Sequence, residues 1–406
     1  DMDRDQLSQL LKGATNASLD LEIYRQGQKI TVTVFTEKIV INPVPFYDLI
    51  DNETGYIILT RFNEKSSSEV KKAFNALKKR GMKKLVFDLR GNPGGSLGEA
   101  INISNFFLPK GSTIVSTKAK VKKWSTIYRA SNTPLDLEIP LTILVNNKSA
   151  SASEIVAGAL QDFDRAVIIG ERSFGKGLVQ KYINLTYGTQ LKLTISKYYT
   201  PSGRCIQELD YANRDKNGNV PKFSEGSISS FKTKNDRVVY DGGGITPDIL
   251  IGFSKRNETT NELIKSRAIF NFTTDYFYKN PTISSVTDFS LSSSDFNSFL
   301  NYIKLSDTVF ETTQERLFLD AYKSSEEIKF IDKEYQQIKM KLLQEKISKI
   351  SKNQDFLSEI IKDQILIRYY YKKGSYENKL KNDSVILEAV KILKNKNQYA
   401  KILKGA

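Results

Sequence analysis

The chain has 406 residues, 39% of them hydrophobic, enough to bury a sizeable core and to divide into two or three domains. It carries 61 Lys and Arg against 46 Asp and Glu, a formal net charge of +15, with one cysteine and no histidine. The missing histidine excludes Ser-His-Asp and Cys-His hydrolases and removes the commonest ligand of catalytic zinc, so any general base is Lys, Asp, Glu or Tyr.

The lone Cys205 excludes an intrachain disulfide. No apolar run approaches the roughly 20 residues that cross a bilayer. The sequence opens at DMDRDQLSQLL without an initiator Met or a signal peptide, so any export signal or lipid anchor is expected to have been removed or never included. The positive charge would suit nucleic acid or a membrane surface, but the lysines are spread over polar helix faces and no nucleic-acid-reading motif accompanies them.

In chain order, Leu7, Leu10 and Leu11 share a helical face that stops near Gly13. Leu19, Leu21 and Ile23 alternate before a Gln26-Gly27 turn, and Ile30, Val32 and Val34 alternate after it, as in a hairpin. GYIILT (55–60) predicts a strand, and SSSEVKKAFNALKKRG (66–81) a helix with Val70, Phe74 and Leu77 inward. KLVFDL (84–89), LTILVN (141–146) and AVIIG (166–170) read as buried strands, the first two followed by helices. Continuous apolar strands with helical crossovers predict an α/β core: a parallel sheet covered on both faces. Two long strands follow, LVQKYINL and TQLKLTISKYY, then a polar excursion from about 208 to 240. From about Ser254 onward, KEYQQIKMKLLQEKISKI and FLSEIIKDQILIRYYYKK show helical spacing with lysine-rich outer faces.

This layout locates a site. Loops leaving the carboxyl ends of parallel strands gather along one edge, where ligands bind. RGNPGGS, KSASAS and ERSFGKG all leave such ends, so a glycine-rich loop, a serine cluster and a lysine should converge. Ser151 begins S-A-S-E, a capping box, and its hydroxyl has two readings: helix cap or nucleophile with the Ala152 N–H serving an oxyanion. Lys176 stands between two glycines beside Phe174 and Leu178, which suits either an ordinary glycine turn or a lysine packed under apolar cover. Desolvation can favour the neutral amine that a base requires, so burial of this lysine is the expected signature. Two other S-x-x-K spacings are set aside: Ser68/Lys71 should face solvent on an amphipathic helix, and Ser173/Lys176 has glycines where helix would be needed. RGNPGGS lacks the lysine of a phosphate-binding loop.

FDLRGNPGG, NNKSASASEIVAGALQD, GERSFGKGLVQ, YYTPSGRCIQ and GGGITPD, in this order over roughly 54–251, resemble the signature blocks of the carboxyl-terminal processing (tail-specific) proteases. The resemblance implies a ClpP/crotonase-like α/β core and a bacterial serine endopeptidase with a Ser-Lys dyad, without cofactor or metal. On that pattern Ser151 is the nucleophile, Lys176 the general base and Gln180 the residue orienting the lysine, since i and i+4 fall on one side of a strand or helix. Ala152 and either Gly94 or Gly95 would supply the oxyanion hole. Family members carry a PDZ domain that grips substrate C-terminal tails by strand addition, and residues 1–38 resemble its final helix and hairpin. The expected division is therefore 1–38, an incomplete PDZ domain; 39–253, the protease core with an excursion at about 204–242; and 254–406, a helical region for packing or oligomerisation. The resemblance implies protein or peptide substrates, no nucleic acid, and a periplasmic or cell-envelope location, and is compatible with membrane proximity and a homo-oligomer. The competing expectation is a catalytically inactive scaffold that keeps the fold.

Overall fold

The computed structural model describes residues 3–223, 228–252, 256–305, 310–323 and 331–405, and the chain separates into two units, 1–43 and 44–406. In the first, Asp3 caps α1 (Arg4–Leu10) in a capping box with Gln6. The hairpin of β1 (Ser18–Arg25) and β2 (Gln28–Phe35) follows in antiparallel register from Ser18↔Phe35 to Arg25↔Gln28. Gln26 and Gly27 both take positive φ (49° and 79°), the requirement of a two-residue primed turn.

The second unit is built on a six-stranded sheet. Its strands are β3 (Phe46–Leu49), β4 (Thr54–Ile58), β5 (Lys84–Asp88), then, after β6 (Thr113–Lys118) and β7 (Thr126–Arg129), β8 (Leu141–Val145) and β9 (Val167–Gly170). β10 (Leu178–Asn184), β11 (Gln190–Tyr199), β12 (Ser230–Lys232) and β13 (Val238–Tyr240) precede the last strand, β14 (Ile249–Leu250). The sheet order is β14-β9-β8-β5-β4-β3. All neighbours are parallel except β3, which pairs antiparallel with β4. β10, β11, β6 and β7 form a separate antiparallel sheet, and the polar excursion contains the short β12–β13 pair.

The strands are apolar throughout because alternate residues enter different cores. Ile57, Leu85, Phe87, Leu141, Ile143 and Ile168 pack with the crossover helices α2 (Ser66–Lys79), α3 (Leu97–Asn105) and α4 (Ala152–Asp162), through Val70, Phe74, Leu77, Ile103, Val156 and Leu160. The other face, formed by Tyr56, Ile58, Val86, Leu144, Val167 and Ile169, is covered from the far end of the chain. Here α11 (Ser384–Lys394) contributes Val385, Ile386, Ala389, Val390 and Leu393, an apolar stripe at helical spacing, and α12 (Lys396–Lys404) lies beside it. Each fully buried aliphatic side chain there is worth about 1.5–3 kcal/mol.

In sequence between β14 and α11, α5 (Glu258–Lys265), α6 (Ala268–Lys279), α7 (Ser293–Lys304), α8 (Thr313–Lys323), α9 (Asp332–Ser351) and α10 (Gln354–Asn382) make the helical region. Phe272, Phe296, Phe299, Ile350, Leu357, Ile361 and Ile365 centre its core. α10 breaks at Tyr371 (φ 56°, ψ −165°). Its first half lies in the helical core, and its second brings Tyr376 onto Phe46 of the sheet, ring centroids 5.4 Å apart. The region read as one helical block thus divides its packing between a core of its own and the α/β sheet.

Candidate active site

The loops after β5, β8 and β9 meet at the carboxyl edge of the sheet. The three alternate serines do different work there. Ser149 and Ser153 are fully buried and tie down the glycine-rich loop: the Ser149 hydroxyl donates to the Leu89 carbonyl at 2.8 Å, and the Ser153 hydroxyl to the Asn92 carbonyl at 2.9 Å. Ser151, between them, is only half-buried and has φ 55° and ψ −111°. A non-glycine residue in that region costs on the order of 1–3 kcal/mol, and persists only where its surroundings enforce it.

Glu154 supplies much of that enforcement. Its carboxylate is fully buried and faces four donors. Oε2 accepts the Ser151 amide at 2.7 Å and the Lys176 amide at 2.9 Å, while Oε1 accepts the Ser173 hydroxyl and the Gly175 amide, each at 2.6 Å. Ser173 in turn accepts the Ile245 amide at 2.6 Å, joining the GGGITPD segment to the cluster. Burial pushes the Glu154 pKa up, against the lowering by its hydrogen bonds from Ser173, Lys176, Gly175 and Ser151. The capping-box glutamate therefore serves two loops at once.

In the glycine-rich loop, Asn92 is fully buried; its Nδ2 donates to the Leu59 carbonyl at 2.8 Å and its Oδ1 accepts the Gly94 amide at 2.9 Å. The Ala150 amide donates to the Asn92 carbonyl at 3.0 Å. Gly94 has φ 94°, and a Cβ there would lie 2.6 Å from the Ala150 carbonyl oxygen, 2.9 Å from the Ala152 amide and 2.9 Å from the Ser151 Cβ. Hydrogen at this position keeps open the space directly before the Ala152 N–H. The exposed Gly95 has φ 146° and pairs with Phe62 as an isolated parallel bridge. Among the described residues, no hydrogen bond is made by the Gly95 or Ala152 amide.

Ser151, Ala152, Gly94 and Gly95 are thus brought together, and the Lys176 backbone joins them through Glu154. The side chain of Lys176 departs from expectation. It is exposed, Phe174 beside it is 48% exposed, and the apolar cover expected from Phe174 and Leu178 is not in place. Gly175 and Gly177, whose amides donate to Glu154 and Gln207, offer the lysine stem between them no side-chain wall. Gln180 is also exposed, on β10 just where the β10–β11 ladder slips register between Val179 and Gln180, so the alternation used to align it with Lys176 is interrupted. Ser68 and Lys71 face solvent on α2, as their spacing predicts.

Sequence reasoning missed Asn92 and Ser173 as organising residues. Their signal was their position, inside two of the three converging loops. Arg90, two residues before Asn92, was missed too: its guanidinium donates to both Asp88 and Asp383.

Residues 53–212 match the family model described as peptidase family S41, and residues 259–393 match that of the C-terminal helical domain of a probable PDZ-protease. The chain is 41% identical over 202 residues to a carboxyl-terminal-processing protease of Picosynechococcus sp., covering 49% of this chain and 47% of that protein. It is 39% identical over 205 residues to a carboxy-terminal-processing protease of Bartonella bacilliformis (49% and 46% covered), and 33% over 262 residues to a probable CtpA-like serine protease of Staphylococcus aureus (63% and 52% covered). The chain spans about half the length of these curated relatives. Among solved structures, the photosystem II D1 C-terminal processing protease aligns with TM-score 0.41 at 27% identity, over 59% of this chain and 56% of that one.

Proposed function

We propose that this chain, whose residues 53–212 match peptidase family S41 and which resembles carboxyl-terminal-processing proteases over about half its length, is a serine endopeptidase acting near or from the C-terminal tails of proteins, with Ser151 as nucleophile and Lys176 as general base. Neutral Lys176 takes the Ser151 hydroxyl proton as the oxygen attacks a peptide carbonyl. The Ala152 and Gly95 amides hold the tetrahedral oxyanion, Gly94 keeping the space open by having no side chain. The protonated lysine then gives its proton to the leaving amine, and water, deprotonated by the same lysine, releases the acyl group. Gln180 orients Lys176 in this scheme, once substrate covers both exposed side chains and removes water from the amine.

One observation carries the reading: the amides of Ser151 and Lys176 converge on a single oxygen of Glu154, which couples the turn holding a strained serine to the loop holding the lysine. Residues 1–38 are read as the end of a substrate-gripping PDZ domain, the location as the cell envelope, and assembly into a homo-oligomer as compatible with both. The exposure of Lys176 favours the second reading, an inactive scaffold, which predicts no hydrolysis at all. The test is cleavage of a protein with an apolar C-terminal tail by the wild-type chain and by Ser151→Ala and Lys176→Ala. Cleavage lost in both variants supports the dyad. Equal cleavage by Ser151→Ala and wild type overturns it, and a wild type without activity favours the scaffold.

A further inference from the structure

Arg90 stands two residues past the end of β5, at the start of the glycine-rich loop, and is joined to Asp383, 293 positions later in sequence. Its Nε and Nη2 donate to Asp88, whose Oδ2 also accepts the Tyr56 hydroxyl at 2.8 Å. Its Nη1 donates to both oxygens of Asp383, at 3.0 and 2.9 Å. Asp383 is the junction between α10 and α11: its Oδ1 also accepts the amides of Val385 and Ile386, capping α11. Capping requires one oxygen and no partner cation, so the ion pair with Arg90 is an addition to the cap. Both side chains are largely buried, 15% exposed for Arg90 and 18% for Asp383, where a charge-assisted pair is poorly screened.

We infer that Asp383 is a positioning residue for the reaction: through Arg90 it fixes the glycine-rich loop that lines the oxyanion site, so the helical region sets the catalytic competence of the core. The chain of contacts is short. Arg90 is followed by Gly91, whose amide donates to Asn146 Oδ1 at 2.9 Å, and by Asn92, whose side chain holds Gly94. A cavity of about 290 Å³, lined in part by Arg90, Gly91, Asn146, Lys379 and Asp383, opens beside the pair and gives the loop room to relax once the pair is broken. The break in α10 at Tyr371 lies between the helical core and Asp383, so a change in that core has a hinge through which to act on the latch.

The inference rests on the reading of Ser151 as nucleophile, and Asp383→Asn in the 406-residue chain separates the two. Asparagine caps helices about as well as aspartate but cannot pair with Arg90 as an ion. The expected result is a fall in kcat of about 10- to 100-fold with KM changed by no more than about twofold, because the loop acts on the transition state and not on ground-state binding. Amide hydrogen exchange in residues 90–96 should accelerate while exchange in α11 stays as in the wild type. Unchanged kcat with unchanged loop exchange overturns the inference, as does a loss of activity that only follows the unfolded fraction. Should the wild type prove inactive, the dyad reading fails and loop exchange alone decides. Arg90→Lys, which keeps the charge but not the fork, should accelerate the same segment; protection equal to wild type in both variants overturns the latch.

Discussion

The backbone amides of Ser151 and Lys176 donate to the same atom, Oε2 of Glu154, at 2.7 and 2.9 Å. Two loops from different strands therefore share one buried acceptor, and the separation of their backbones is set by a single carboxylate. Replacing it by the amide of Glu154→Gln keeps the shape but puts, in place of one oxygen, an NH2 group that cannot accept the hydrogen bonds made there. The expected cost is about 1–3 kcal/mol for each amide left without an acceptor, seen in urea denaturation, with activity lost beyond what the folded fraction explains. Wild-type stability in this variant would show that the carboxylate does not organise the loops.

The same carboxyl group gives a pH signature. Burial raises its pKa in the native state above the ordinary glutamate range, so folding binds the proton more tightly than the unfolded chain does. Its contribution to stability is fully present below the unfolded pKa and is lost as pH rises through the raised native value. The stability difference between wild type and Glu154→Gln should therefore shrink as pH is raised through and above the ordinary glutamate range, measured by denaturant titration at each pH. A difference that grows over that range would contradict the assignment.

Ser151 holds φ 55° at a stability cost that serves geometry. Ser151→Gly should relieve it and stabilise the chain by up to about 1 kcal/mol, since the flexibility of glycine in the unfolded state offsets part of the gain. Thermal unfolding of Ser151→Gly beside Ser151→Ala reads this directly, the glycine variant being the more stable. The reverse order would mean that the backbone there is not strained.

A methyl group on Gly94 would sit 2.9 Å from the Ala152 amide and 2.6 Å from the Ala150 carbonyl. Gly94→Ala should cost about 100- to 1000-fold in kcat, the loss typical of a missing oxyanion donor, with further loss from backbone strain at φ 94°. Steady-state kinetics on the folded fraction check it.

The second face of the sheet depends on α11. Ile386→Ala removes a fully buried side chain packed against the strands and should destabilise the second unit by about 2–5 kcal/mol. If α11 were an appendage, core unfolding would not move.

The strands of the core were legible because Val, Ile, Leu and Phe predominate in KLVFDL, LTILVN and AVIIG without polar alternation, as in a sheet buried on both faces. The convergence of three loops followed from that topology. What covers the second face was not legible, because the stripe of Val385, Ile386 and Ala389 looks like any amphipathic helix and its partner lies some 300 residues earlier. Ser151 could be placed at a helix start but not told from a cap, because the two uses share one geometry. The exposure of Lys176 was invisible too: burial of a single side chain depends on neighbours such as Phe174, whose orientation sequence does not specify.

The central claim is that Ser151 is activated by Lys176. It is tested most directly by treating the chain with a fluorophosphonate that reacts with activated serines, and locating the adduct by fragmentation mass spectrometry of the peptide spanning Ser149, Ser151 and Ser153. The account predicts an adduct on Ser151 alone in the wild type, and none in Lys176→Ala under the same conditions. An adduct on a flanking serine, or equal labelling of Ser151 with and without Lys176, would contradict it.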